Sequence, residues 1–192
     1  QGIPDPGAFG WLAKQKLSGK TVGYDPRLMS PNDVTALKSA ADAAGAKLVA
    51  VEENPIDKAW QGRPPQPTAE VVPHNVKYAG VAHDDKRAEI GKALEAAGVD
   101  AAVLTSPASL AWAFNIRGGD VSCTPLPLGR AILFRDGTAD LFLDEVKVSP
   151  KLRKHLGNTV TVRPLSEVEQ GLGELAGKTV SLDPDLASAW FF

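Results

Sequence analysis

Cysteine is almost missing from this chain: Cys123 stands alone among 192 residues, so no internal disulfide can form and a reducing compartment is favoured. Histidine is nearly as scarce. His74, His83 and His155 are scattered, no two share the i, i+4 spacing of a helical metal site, and Cys123 has no partner near it. No apolar run approaches the ~18 residues of a membrane-spanning helix. No signal-peptide pattern opens the chain. A dominant charge is lacking too: 21 basic and 23 acidic residues leave a net charge of -2, so no basic footprint points to nucleic acid or an anionic membrane. Nucleophile elbows of the Gly-x-Ser-x-Gly kind and complete phosphate-binding glycine loops are absent, since Gly118-Gly119 and Gly171-Leu-Gly173 lack the rest of such motifs. His83-Asp84-Asp85 is the one compact polar cluster, and a helix start explains it.

What is present organises itself around residues 98–121. Residues 99–104 form a short apolar run suited to a strand covered on both faces. Ser106-Pro107 then reads as an N-cap and first helical residue, with Leu110, Phe114 and Trp112 as core-facing side chains of a short helix. Asn115-Ile-Arg-Gly-Gly-Asp120 breaks that helix and leaves Arg117 and Asp120 on a loop. An arginine there can offer a forked donor to a carboxylate, and an aspartate can orient it or bind an amine. The alternative is an Arg117 to Asp120 ion pair that only stiffens the loop.

Along the rest of the chain, residues 6–17 are expected to be helical, 20–24 a strand, and Ser30-Pro31 the start of a helix closed by Gly45. A strand follows at 47–51. Prolines 55, 64, 65, 67 and 73 mark residues 54–82 as a linker with at most one short helix at Ile56 and Trp60. Trp60 and Arg63 are read as docking residues of that linker. Residues 84–97 predict a helix buried along Ile90, Ala93, Leu94 and Ala97. Asp136-Gly137 predicts a hairpin between strands at 130–134 and 139–143. A helix from Ser149-Pro150 to His155, a strand at 159–163, a helix at 165–175 and a strand at 178–182 complete the pattern.

Gly19-Lys-Thr-Val-Gly-Tyr-Asp-Pro-Arg-Leu-Met-Ser30 is echoed by Gly177-Lys-Thr-Val-Ser-Leu-Asp-Pro-Asp-Leu-Ala-Ser188. Two related α/β domains in tandem would produce such a repeat. The expected organisation is therefore the end of one domain at 1–53, the linker at 54–82 and a nearly whole second domain at 83–192. Each domain is expected to be a mixed β-sheet flanked by helices, the first only a partial copy. A start without methionine and the apolar finish Trp190-Phe-Phe192 fit a piece of a longer protein.

Leu110-Ala-Trp-Ala-Phe-Asn-Ile-Arg-Gly-Gly-Asp120, together with Asn54-Pro-Ile-Asp-Lys-Ala-Trp-Gln-Gly-Arg-Pro64, resembles the non-catalytic part of three-domain Xaa-Pro aminopeptidases of the creatinase and prolidase superfamily. The resemblance implies a creatinase amino-terminal-like fold and a cytoplasmic parent that removes an amino-terminal residue preceding proline. It also implies two divalent ions, manganese or zinc, in a catalytic domain beyond Phe192, where a bridging water would attack the scissile carbonyl. On this reading the chain itself carries no catalytic residue, metal or cofactor. Its partners are its own catalytic domain, a proline-containing peptide and, as a further candidate, a second subunit. Arg117, Asp120 and Asn115 are the substrate-binding candidates, because in this superfamily the non-catalytic domain overhangs the active-site cleft. The alternatives are a stand-alone interaction or oligomerisation module, or a piece of a prolidase- or creatinase-type relative.

Overall fold

Residues 7–192 are described by a computed structural model, in which the first elements follow their local sequence signals. Helix α1 (Gly7–Leu12) is shorter than the expected 6–17 span, of which Pro6 lies outside the described residues. Strand β1 (Thr21–Tyr24) leads into helix α2 (Pro31–Ala43), where Ser30 Oγ accepts the Asp33 amide at 3.1 Å and Pro31 occupies the first turn. Gly45, at φ +76°, ends α2 in the left-handed conformation that lets the Ala46 amide donate back to Ala41 O. The chain then returns as β2 (Lys47–Ala50), parallel to β1. Leu12, Leu37, Ala40, Ala41 and Ala46 form the core of this unit. Asn54 caps helix α3 (Pro55–Ala59), and its Nδ2 donates to Asp25 Oδ2 at 3.0 Å. Trp60 and Arg63 stay in the same short stretch: the Arg63 guanidinium lies 5.6 Å from the Trp60 ring centre and pairs with Asp57 at 2.8 Å.

The division into compact units is drawn differently from the layout expected from composition. One unit runs to Pro64 and takes back Asp183–Phe192, and the other is Pro65–Leu182. The tail belongs to the first unit for a specific reason: the Ala189 and Trp190 amides donate to Met29 O at 2.7 Å and Pro26 O at 2.9 Å, and Asn32 Nδ2 donates to Asp185 Oδ1 at 2.5 Å. The repeated Asp-Pro motifs turn alike. Asp25 Oδ1 accepts from the Arg27 amide and Asp183 Oδ1 from the Asp185 amide, two residues on in each case.

In the second unit, the prolines of the expected linker do not keep it free of regular structure. Strand β3 (Val72–Pro73), helix α4 (Val76–Ala79) and helix α5 (His83–Ala96) follow one another closely. Strand β4 (Ala101–Leu104), helix α6 (Pro107–Ala113) and the two-residue strand β5 (Ile116–Arg117) come next. β6 (Arg130–Phe134) and β7 (Ala139–Leu143) form the hairpin that Asp136-Gly137 announces, with Gly137 at φ +82°. Helix α7 (Pro150–Leu156), strand β8 (Val160–Pro164), helix α8 (Val168–Gly173) and strand β9 (Val180–Ser181) finish the unit. The five-stranded sheet has the order β8-β7-β6-β4-β9, antiparallel within β7-β6-β4 and parallel at both edges. It is a mixed sheet flanked by helices.

Alternation along β6 and β7 sorts the core. Ala131, Leu133, Leu141 and Leu143 join Leu110, Phe114, Leu152 and Leu156 from α6, α7 and the residue after α6 in one buried cluster. Ile132 and Phe142 point the other way, towards α8. A Cβ on Gly171 would lie 2.6 Å from the Phe142 ring, so α8 can sit this close only because that residue is glycine.

Helix α5 buries part of the expected stripe and adds a polar and glycine side to it. Leu94 is buried and Ile90 packs against the core as expected, but Ala93 and Ala97 are exposed, and His83, Lys86, Arg87 and Gly91 are buried in addition. The reason is packing against a backbone: a Cβ on Gly91 would meet Arg135 O at 2.5 Å, so the glycine side of the helix, not its alanine side, lies against the hairpin turn. Trp112 also departs from expectation, being 54 % exposed although its neighbours Ala111 and Ala113 are buried.

Candidate functional site

The residues singled out at 115–120 lie where α6 ends. A short helix leaves its last carbonyls without intrahelical donors, and here two cations supply them. Lys86 Nζ donates to Trp112 O at 3.1 Å, and Arg117 Nη1 donates to Ala111 O at 3.3 Å as well as to Ile116 O at 2.8 Å. Lys86 is 4 % exposed, and its amine lies 4.7 Å from the Trp112 ring centre. Burial, and secondarily the charge of Arg117, hold its pKa below the usual lysine range.

Asn115 makes the turn out of the helix. Its φ of +48° is a left-handed conformation that asparagine tolerates better than most residues. The side chain is 2 % exposed and fully engaged: Oδ1 accepts Lys86 Nζ at 2.7 Å, and Nδ2 donates to Val81 O at 2.9 Å. Its backbone oxygen takes the His74 amide at 2.7 Å. These bonds continue into the pairing of β5 with β3, in which Arg117 faces Val72. Arg117 therefore stands on a short paired strand, not on a free loop, and keeps a half-buried side chain.

Asp120 does not pair with Arg117. Its fully buried carboxylate takes Lys147 Nζ at 2.8 Å and the Leu128 amide at 2.9 Å, both on Oδ2. Oδ1 is buried and has no hydrogen-bond partner among the described residues. Gly118 permits the close return of the loop, since a Cβ there would lie 2.7 Å from Pro127 Cα. Structure thus brings Asn115 and Arg117 together around the end of α6. It places Asp120 in a separate buried ion pair that ties residues 120–128 to Lys147.

Sequence reasoning missed Lys86, Lys147 and the histidines. For Lys86 and Arg87 a signal existed: His83, Lys86 and Arg87 stand at i, i+3 and i+4, so three polar residues share one face of a helix otherwise expected to bury alanines. For Lys147 no local signal exists, because its partner is remote in sequence. Among the described residues no group of three His, Cys, Asp or Glu is placed to hold a metal ion. No helix among them is long and apolar enough to cross a membrane.

Residues 62–192 match the family model described as the creatinase/prolidase N-terminal domain. A probable Xaa-Pro aminopeptidase P of Paracoccidioides brasiliensis (strain Pb03) is 34 % identical over 175 residues, covering 89 % of this chain and 28 % of that protein. One from Talaromyces stipitatus is 32 % identical over 169 residues, covering 88 % of this chain and 26 % of its own length. Among solved structures, an X-prolyl aminopeptidase from Caenorhabditis elegans, described as a cytosolic enzyme with a di-nuclear active site, aligns with a TM-score of 0.86 at 28 % identity. That alignment covers 98 % of this chain and 32 % of the other. The chain spans about a third or less of the length of these relatives.

Proposed function

The chain belongs to the creatinase/prolidase N-terminal domain family, and from that membership we propose that it is the non-catalytic, substrate-side region of a metal-dependent Xaa-Pro aminopeptidase. Residues up to about 53 are the end of a preceding domain of related fold. The second domain, whose compact part is Pro65–Leu182, overhangs the cleft of a catalytic domain lying outside this chain. The parent removes an amino-terminal residue preceding proline, works in the cytoplasm and holds two divalent ions in that other domain. The region's partners are its own catalytic domain and, across an assembly, a second subunit.

Arg117 is the residue that meets the peptide, Asn115 sets its frame at the end of α6, and Asp120 anchors the following loop on Lys147. The observation that carries this is the posture of Arg117: one edge of its guanidinium, through Nη1, is pinned to Ala111 O and Ile116 O. A fork held by one edge is pre-organised, so it loses little side-chain freedom when its other edge meets a carboxylate or carbonyl oxygen. A charge-assisted bond of that kind contributes about 1.5–3 kcal/mol. In the full-length parent, Arg117→Ala should therefore lower kcat/KM for a Xaa-Pro peptide by roughly tenfold to a hundredfold, mostly through KM. Steady-state kinetics on folded variant and wild type read this directly. Unchanged kinetics would return the loop to a packing role.

The second reading, a stand-alone interaction module, has one observation in its favour: Trp112 and Tyr78 are 54 % and 73 % exposed. It needs no catalytic domain, whereas the aminopeptidase reading requires one.

A further inference from the structure

A chain of hydrogen bonds in the second unit ends on the carbonyl just before Asn115. It starts at Arg87, which is 1 % exposed and whose Nη1 donates to His83 Nδ1 at 2.6 Å. A guanidinium can only donate, so Nδ1 carries the lone pair and the His83 proton sits on Nε2. Nε2 then donates to His155 O at 2.9 Å. The two rings lie 4.5 Å apart between centroids, and His155 Nε2 donates in turn to Phe114 O at 3.0 Å. That oxygen belongs to the peptide plane from which Asn115 makes its left-handed turn, and Arg117 follows two residues later.

We propose that His83 and His155 are positioning residues for the Arg117 strand, and that protonation of His83 releases that strand. The inference rests on the reading of Arg117 given above for its functional meaning, but not for its structural content.

The physical argument is one of donors and charge. Protonated at Nδ1, His83 would turn a donor towards the Arg87 donor and set two positive charges side by side. Groups on each packed element enter the balance. On α5, Asp84 Oδ1 lies 3.4 Å from Nδ1 and favours the proton, while Arg87 opposes it. On α7, the His155 ring opposes it, and Lys151 lines the same cleft, about 410 Å³ in volume, as both rings. Burial is the largest influence, and the net effect holds the His83 pKa below the ordinary histidine value. A group depressed in the folded state contributes stability that is complete above its unfolded pKa of about 6.5 and is lost as pH falls through the folded value. The release therefore belongs to pH below the ordinary histidine value.

The test is amide and imidazole NMR of this chain from about pH 8 downward through and below the ordinary histidine range, until the His83 ring has titrated. The Asn115 and Arg117 amides should shift with the midpoint of the His83 ring. They should lose that titration in His83→Gln, whose amide can still accept from Arg87 and donate to His155 O. Asp84→Asn, which removes the carboxylate favouring the proton, should move the shared midpoint to lower pH and needs no folded His83 variant. Loop amides that stay flat while His83 titrates would overturn the proposal. So would a midpoint in Asp84→Asn that moves for His83 and not for Asn115. In the parent, the acid fall of kcat/KM should be reduced in His83→Gln. If the amides follow His83 but Arg117→Ala leaves KM unchanged, the coupling stands and the functional reading of Arg117 fails instead.

Discussion

Asn115 concentrates several demands on one side chain. It must tolerate φ of +48°, satisfy a buried lysine and hold the Val81 carbonyl, all at 2 % exposure. Replacement by alanine leaves the Val81 carbonyl without this donor and Lys86 with Trp112 O as its remaining acceptor, and adds left-handed strain, whereas glycine removes only the bonds. Asn115→Ala should cost about 2–4 kcal/mol in urea unfolding, and Asn115→Gly should cost about 1 kcal/mol less. Equal losses would show that the backbone is unstrained. At this scale the sequence was informative about place and poor about partners. Asn115, Arg117 and Asp120 were legible as a helix break bearing polar side chains. The expected alternative, an Arg117 to Asp120 ion pair, is not what forms, because the helix end competes for Arg117 and Lys147 reaches Asp120 from 27 residues away. Burial of that pair sets it apart from a surface bridge, since each charge has given up water and needs the other.

Among the elements, strong local signals carried through. Ser30-Pro31, Ser149-Pro150 and Asp136-Gly137 act within a few residues, so tertiary context had little to override, and α2, α7 and the β6–β7 hairpin follow from them. Helix α5 shows where this stops. Periodicity marked the helix and the core-facing Ile90 and Leu94 correctly but put Ala93 and Ala97 inside and left Gly91 out, because contact with the Arg135 carbonyl selects a glycine face that hydropathy does not register. The pairing of β3 with β5 was equally invisible, being two residues long and joining segments separated by an entire helix-strand-helix unit. Gly91→Ala tests the packing claim. A Cβ placed 2.5 Å from Arg135 O forces α5 away from the hairpin, so the substitution should destabilise by about 1–3 kcal/mol despite the higher helix propensity of alanine. Thermal unfolding that rises instead would mean that the helix face is not set by this approach.

The whole molecule contains two units of unequal completeness. The second carries a five-stranded mixed sheet with helices on both faces; the first, among the described residues, carries a two-stranded parallel sheet. Both copies of the Gly-Lys-Thr-Val motif enter from a positive-φ glycine, at Gly19 and Gly177, and run through a strand to their Asp-Pro turns. Family membership rests on residues 62–192, and the share of each relative that the chain spans leaves room for a further domain in those proteins. The central claim is that this chain shapes recognition while catalysis resides elsewhere in a parent aminopeptidase. The most direct measurement compares hydrolysis of a Xaa-Pro peptide, with manganese added, by this purified chain and by the full-length parent. The account predicts turnover by the parent and none above background by the chain. Manganese-dependent cleavage by the chain itself, or a parent with no Xaa-Pro activity, would contradict it.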